Sequence, residues 1–272
     1  MDVNASRPPS AARLDVPPIA RYVIIGVLGG ILLMAVVITA TSIASAGDVG
    51  IDAAYYRNVG ARFLADGTYY LPHQLAGPYS VNLMSDVLYP PSALLLFVPA
   101  ALTPAVLWWI VPIVITIDVL RAWRPRWWGI AAMLLLLLWP RAHAAFIYGN
   151  TDMWAMAGIA AGLRWGWPAV FLTLKPIFAP LSLIGIRRRS WWLAAGVVVV
   201  FVILTLPLWQ QYVAAMRNLG IGSDYSLGSL PLLLVPIAAR LARSRQTTRD
   251  QGTKPMTTVG VHARPDDTAA TR

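Results

Sequence analysis

Long apolar runs recur along most of this sequence, and they limit the folds that it can adopt. The first run, residues 22–45, is long enough to cross a bilayer, which takes a helix of about 20 apolar residues. Hydrophobic residues make up 57% of the 272, and charged residues only 12%, against about 25% charged in soluble domains. The sequence therefore predicts an all-α integral membrane protein with six to eight transmembrane or half-membrane helices.

The polar stretches of the chain divide it into three parts. Residues 1–20 and 244–272 predict disordered tails on either side of a polytopic membrane domain, residues 21–243. The sequence Ala44-Ser45-Ala46 resembles a signal-peptidase site. The apolar run before it is longer than that of a signal peptide, however, so we expect this helix to be retained.

Arginines next to the apolar runs predict the orientation of the chain. Arg7, Arg13 and Arg21 precede the first run, and such residues favour the cytoplasmic side of a bacterial-type plasma membrane. Residues 46–90 then form the first extracytoplasmic loop. The arginine-rich sequence after the last apolar run predicts a cytoplasmic C-terminus as well.

Prolines interrupt two of the later apolar runs. Three of them divide residues 92–120, which fit either one broken crossing or a short hairpin followed by a crossing. Residues 165–186 contain Lys175-Pro176 at their centre and predict a bent pair of half-helices. Broken helices are tolerated at membrane depth where they line a cavity inside the protein. We therefore expect such a cavity here.

Composition also excludes several classes of function. Cysteine is absent and the three histidines lie far apart in the sequence, so we expect no disulfide, no metal site and no cofactor. The net charge of +10 comes mostly from arginines beside apolar runs. Because that placement orients a membrane protein, nucleic acid is not an expected partner.

The first loop predicts a short amphipathic helix that lies along the membrane face. Tyr56, Val59 and Phe63 recur at helical spacing, and Gly67 ends the pattern. Asp52 stands where the helix begins and suits an N-cap, the commoner use of such a residue.

The same loop holds four of the twelve acids, among six tyrosines. Acids and aromatic rings at a membrane surface are typical of a polar ligand site. Asp52 is the candidate general base that accepts a proton from an attacking hydroxyl, and Asp48 is the alternative base.

Lys175 lies inside an apolar run, where a charge is costly and faces a cavity or a partner. It can bind a phosphate, or it can pair with Asp152 or Asp118. Asp118 also lies one turn before Arg121, which favours a local ion pair. The turn Tyr148-Gly149-Asn150-Thr151-Asp152 can present an amide and a carboxylate to a sugar, or simply cap a helix.

Taken in order, these motifs resemble the polyprenyl-phosphate-mannose-dependent glycosyltransferases of family eighty-seven, in the glycosyltransferase-C superfamily. The matching motifs are Asp52, Tyr55-Tyr56, Gly67, Tyr69-Tyr70, Tyr89-Pro90-Pro91, Gly149-Asn150-Thr151-Asp152, Lys175-Pro176, Arg187–Arg189 and Asp224-Tyr225-Ser226-Leu227. The family is usually longer, and both polar motifs have substitutions here.

The resemblance implies a glycosyltransferase-C-like fold and a sugar, expected to be mannose, carried on a polyprenyl phosphate within the membrane lipids. Asp52 would deprotonate the hydroxyl of a lipid or glycan acceptor, which attacks the anomeric carbon with inversion. Lys175, with Arg57 or Arg62, would hold the departing phosphate. The expected substrate-binding residues are Tyr55, Tyr56, His73, Tyr89, Asn150, Asp152 and Ser226.

Two other functions fit the sequence. One is a small transporter or lipid flippase, with Lys175, Asp118 and Asp152 as an intramembrane relay. The other is a non-catalytic membrane partner that keeps the fold of a larger enzyme.

Overall fold

The computed structural model describes residues 16–82, 85–219 and 227–244. Within these ranges the regular structure is helical and contains no strand, which confirms the all-α prediction. The α-helices are α1 Pro18–Ser45, α2 Ile51–Asp66, α3 Pro72–Ala76, α4 Leu94–Leu102, α5 Leu107–Trp123, α6 Trp127–Leu137, α7 Pro140–Tyr148, α8 Asp152–Trp165, α9 Arg189–Leu204, α10 Leu206–Asn218 and α11 Leu230–Leu241. The 3₁₀ helices are Pro91–Ala93, Trp167–Leu174, Pro176–Gly185 and Leu227–Ser229.

Length and composition identify α1 as the one described helix that can cross a membrane unaided. Three further helix pairs pass the same test together but are bent at a break. The bent pairs are Pro91–Leu102 with Leu107–Trp123 (114°), Trp127–Leu137 with Pro140–Tyr148 (72°), and Arg189–Leu204 with Leu206–Asn218 (79°). By length and composition, the described residues thus provide one to four membrane crossings. The expected number of six to eight transmembrane or half-membrane helices stays a prediction.

Helix α1 begins at Pro18, a turn before the predicted start, because proline suits the first turn of a helix. It packs against α6 and α7 and leaves most of its apolar surface exposed. The hydroxyl of Thr39 lies 2.8 Å from Nε2 of His143 on α7. This contact joins the first helix to the rest of the molecule. Of the predicted tails 1–20 and 244–272, residues 1–15 and 245–272 lie outside the described residues, and residues 18–20 belong to α1.

Helix α8 lies at the centre of the fold and packs against α5, α11 and the two long 3₁₀ segments. Its small residues allow close approach: a Cβ on Gly162 would lie 2.7 Å from the Cβ of Ala169. The 3₁₀ segments meet at Lys175, whose backbone is extended. The bent pair predicted around Lys175 is therefore present, built from 3₁₀ rather than α-helix.

Helix α2 is the predicted first-loop helix and ends, as expected, at Gly67 with a φ of 75°. That this helix lies along the membrane face stays a prediction, but its apolar face is turned into the fold. Tyr56 and Val59 are buried, and the face packs against α4. Gly60 marks the closest approach, because a Cβ there would lie 2.2 Å from the carbonyl oxygen of Phe97.

Most of the described arginines gather at one end of the molecule. Contacts that place them there include Arg21 over the Trp127 ring at 6.0 Å, the Asp118–Arg164 ion pair, and a hydrogen bond from the Arg126 backbone to Ala242. Asp152 lies at the opposite end of α8 from Arg164. Asp52, which is hydrogen-bonded to Asn150 next to Asp152, therefore lies toward the end of α8 opposite Arg164.

The Gly60 contact generates a prediction about stability. Gly60→Ala places a methyl group against the α4 backbone, so we expect a loss of about 1–3 kcal/mol from overpacking. Thermal unfolding of the purified protein in detergent measures it. Gly26→Ala on α1 is the matched control, since no atom lies within 4 Å of its added Cβ. Equal unfolding temperatures for the two variants would contradict the close α2–α4 approach.

Candidate functional site

An ion pair between Lys175 and Asp152 lies at the centre of the site. Lys175 stands where the two 3₁₀ segments meet, and Asp152 is the first residue of α8. The Lys175 Nζ donates to Oδ1 of Asp152 at 2.5 Å, and the two side chains are 19% and 6% exposed. The Ser229 hydroxyl donates to the other oxygen of the same carboxylate. Pairing with Asp152, one of the two partners considered from the sequence, is therefore what the structure shows.

Asp52 does not cap α2, so the N-cap prediction is wrong. Gly50 takes the cap position with a φ of 73°, and a helix that begins at Ile51 places Asp52 inside the first turn. The Asp52 side chain instead faces the turn between α7 and α8, where its Oδ2 accepts a hydrogen bond of 2.6 Å from the Nδ2 of Asn150. Burial raises the pKa of this carboxyl above its usual value, and the Asn150 hydrogen bond opposes that shift.

Asn150 links the Asp52 carboxylate to the backbone of Asp152. While its Nδ2 donates to Asp52, its Oδ1 accepts from the backbone N–H of Asp152 at 3.0 Å. An amide oriented in this way uses donor and acceptor correctly at both contacts. The preceding Gly149 has a φ of 73°, and a Cβ there would lie 2.7 Å from that of Ala53. Glycine therefore lets the turn approach α2 closely enough for the Asp52–Asn150 contact.

A row of hydroxyl groups borders the same turn. The Tyr56 and Tyr89 hydroxyls lie 3.1 Å apart, and the Tyr89 hydroxyl lies 2.9 Å from the Oγ1 of Thr151. Tyr56 is buried and stacked on Phe97 at 4.9 Å. Burial raises the pKa of Tyr56 well above its usual value, so this hydroxyl stays neutral. We call these groups the polar cluster: Asp52, Tyr56, Tyr89, Asn150, Thr151, Asp152, Lys175 and Ser229.

An apolar cavity of about 400 Å³ opens beside the polar cluster. Tyr89, Thr151 and Lys175 contribute to its lining, whereas Asp52 does not. Trp154 also lines it, and the indole Nε1 of that residue is buried without a hydrogen-bond partner in the described part of the chain. Lys175 therefore touches the cavity directly, and Asp52 reaches the cluster from the α2 side through Asn150.

His73 and Tyr55 belong to a second polar group around the buried Asp86. The His73 Nε2 lies 2.8 Å from Oδ1 of Asp86, and the Tyr55 hydroxyl donates to the backbone carbonyl of Asp86 at 2.8 Å. The backbone N–H of Asn82 binds the other carboxylate oxygen. The structure thus separates these two candidate substrate-binding residues from the hydrogen bonds of the polar cluster.

Arg57 and Arg62 bind backbone carbonyls rather than facing Lys175. Arg57 donates to the carbonyls of Ala100 in the last turn of α4 and of Thr103 directly after it, the second at 2.5 Å. Arg62 donates to Tyr69 at 2.8 Å. These contacts hold α2 to its neighbours, so we do not carry the phosphate-binding role of either arginine into our proposal.

Three further candidates have different outcomes. Asp48 lies in the turn between α1 and α2, and its carboxylate makes no hydrogen bond to the polar cluster as described. Ser226 falls outside the described residues. Asp118 pairs with Arg164 at 2.6 Å, so the predicted local pair with Arg121 is wrong. The Arg164 side chain comes from α8, which packs along α5 and lies within reach.

Sequence reasoning missed Ser229 and Trp154 as parts of the site. The only local signal for Ser229 was its place before Leu230-Pro231, a helix start, which says nothing about Asp152. Among the described residues no three or more His, Asp or Glu side chains group closely enough to hold a metal ion.

Comparisons with known proteins find no relative of this chain. No protein-family model matches the sequence, and no curated protein or solved structure matches it.

The Lys175–Asp152 pair generates a prediction about stability. Lys175→Met leaves a buried carboxylate without its partner, which costs about 3–5 kcal/mol in comparable buried pairs. Lys175→Met with Asp152→Asn removes both charges, and we expect it to recover most of that loss. Chemical unfolding in detergent measures both. A single variant as stable as the parent chain would show that the pair contributes nothing to the fold.

Proposed function

We propose that this protein is a membrane glycosyltransferase that transfers a sugar, expected to be mannose, from a polyprenyl-phosphate donor to a lipid or glycan acceptor. The transfer takes place on the extracytoplasmic side and inverts the anomeric carbon. One observation carries the proposal: the Asp52 carboxylate is hydrogen-bonded to Asn150, Asn150 accepts from the backbone N–H of Asp152, and the carboxylate of Asp152 pairs with the Lys175 ammonium. A base and a phosphate-binding cation are the two groups that this reaction needs.

Asp52 is suited to the role of general base. Its pKa is raised by burial, and a base works best when its pKa approaches the operating pH. In the proposed reaction its carboxylate takes the proton of the acceptor hydroxyl while that oxygen bonds to the anomeric carbon. The bond from the anomeric carbon to the phosphate oxygen breaks, and polyprenyl phosphate leaves with both bonding electrons.

Lys175 is suited to neutralise the charge on the departing phosphate. An ammonium group has three N–H donors, and Asp152 uses one of them. Lys175 also lines the apolar cavity, so in the proposed complex a phosphate there accepts from the remaining donors. The ring of Phe178 lies 5.0 Å from the Nζ and gives the cation a further favourable contact.

The apolar cavity is suited to the lipid part of the donor. Its lining is almost entirely hydrocarbon and aromatic, and the Tyr89 and Thr151 hydroxyls in it lie 2.9 Å apart. An isoprenoid chain in this space would place its phosphate next to Lys175. Burial of hydrocarbon would then supply binding energy away from the reacting bond.

The relay proposed for a transporter gains no support from the contacts. Asp118 pairs with Arg164 near the end of α8 opposite the polar cluster, so it does not join Lys175 and Asp152. A non-catalytic partner would need neither Asp52 nor Lys175 for turnover, which mutation can test.

Asp52→Asn should abolish sugar transfer and leave the fold intact, because an asparagine oxygen can still accept from Asn150. We expect a rate loss of about 10²–10⁴-fold, the usual contribution of a general base. The measurement follows labelled mannose from a polyprenyl-phosphate donor into membranes that contain the acceptor. Asp66→Asn is the matched control, an exposed acid at the far end of the same helix. Unchanged transfer by the Asp52 variant would exclude the role of base.

The acid side of the pH–rate profile should reflect the raised pKa of Asp52. A base must be ionised, so transfer falls as the pH drops through this pKa, at a higher pH than a carboxyl with the ordinary value of 3.8 would give. Asn150→Ala removes a hydrogen bond that lowers the pKa, and should move the fall to still higher pH. An identical profile for parent and variant would contradict this role of Asn150.

A further inference from the structure

A second pocket, at the arginine-rich end of the molecule, lies where α5 and α11 end side by side. It is open and has a volume of about 1020 Å³. The residues that line it and carry the argument are Arg121, Trp123, Arg124, Arg240, Arg243 and Ser244. Four of these six are arginines, and no acid contributes to the lining among residues 16–82, 85–219 and 227–244. The pocket shares no lining residue with the polar cluster, and the inference drawn from it is independent of the proposed reaction.

Backbone contacts hold the two helix ends together. The N–H of Arg126 donates to the carbonyl of Ala242 at 2.9 Å, and Pro125 forms an antiparallel bridge with Arg243. The Ser244 hydroxyl donates to the carbonyl of Arg124 at 3.1 Å. These contacts fix the separation of the two walls, so the pocket belongs to the packed structure.

The positive charge of the four arginines in the pocket exceeds the partial negative charge of the two helix C-termini beside them. A helix C-terminus carries about half a negative charge, so two of them offset about one of the four arginine charges. The nearest acid along α5, Asp118, is already paired with Arg164. Arg124 has a φ of 47°, a conformation in which glycine is usual after a helix. An arginine thus occupies a backbone position where glycine would be less strained.

We infer that this pocket binds the phosphate headgroup of an anionic phospholipid. Guanidinium groups form paired hydrogen bonds with phosphate oxygens. The pocket lies at the ends of apolar helices, and the exposed Leu241 and Trp128 beside it suit contact with acyl chains. Arg240 stacks on Trp123 at 5.6 Å, which fixes one guanidinium at the wall. Basic pockets between membrane helices on the cytoplasmic side recognise anionic lipid headgroups in this way.

The test measures lipid binding by the full-length protein in a non-ionic detergent. Phosphatidylglycerol, phosphatidylcholine and inorganic phosphate are titrated separately, and bound lipid is counted by native mass spectrometry. The test variant is Arg121→Gln with Arg243→Gln, which removes two exposed charges from the pocket. The matched control is Arg187→Gln with Arg189→Gln, two exposed arginines at the same end of the molecule outside the pocket. Thermal unfolding checks that both variants are folded, and Arg243→Gln alone replaces the test variant if the double change unfolds.

We expect the test variant to weaken phosphatidylglycerol binding about tenfold and the control to change it less than about twofold. Phosphatidylcholine should bind weakly to all forms, and inorganic phosphate should not displace the lipid. Equal losses in the test and control variants would overturn the inference in favour of a diffuse surface charge. Displacement by inorganic phosphate would overturn it in favour of a soluble anion.

Discussion

The ion pair of Lys175 with Asp152 is the interaction on which the rest of the site depends. It joins the junction of the 3₁₀ segments to the first residue of α8, and Ser229 extends the connection toward α11. A charge largely removed from water is tolerated only with a partner. The sequence therefore cannot exchange either residue alone without disturbing three elements together. Asn150 is hydrogen-bonded to the backbone of Asp152, and Asp52 is hydrogen-bonded to Asn150, so the positions of both depend on this pair.

Close helix contact is the second requirement. Asp52 reaches the polar cluster only because α2 lies against α4 and α7 without bulky side chains in between. Gly60 permits the first approach and Gly149 the second, each with a separation that a Cβ would violate. The buried ring of Tyr56 then fills the space next to Phe97. The two glycines thus allow the short distances from α2 to its neighbours, and the Tyr56 ring fills the remaining space between α2 and α4.

Local sequence patterns predicted the helices and the break at Lys175. The ion-pair and hydrogen-bond partners of the charged residues depend instead on contacts between residues that are distant in the sequence. Apolar runs, prolines and the Gly67 stop are local features, and the first-loop helix and the break at Lys175 follow from them. The partner of Asp118 does not, because sequence spacing favours Arg121 while α8 places Arg164 beside it. Asp52 loses its predicted cap role for a local reason, since Gly50 takes the cap position, but its partner Asn150 is distant in the sequence.

The two 3₁₀ segments around Lys175 also affect how far a short chain can reach. A 3₁₀ helix rises about 2.0 Å per residue, against about 1.5 Å in an α-helix. The 8 residues of Trp167–Leu174 and the 10 of Pro176–Gly185 therefore span about 16 and 20 Å. An α-helix would need about 11 and 13 residues for the same lengths. The chain therefore reaches Lys175 and returns from it with about six fewer residues than two α-helices of the same lengths would need.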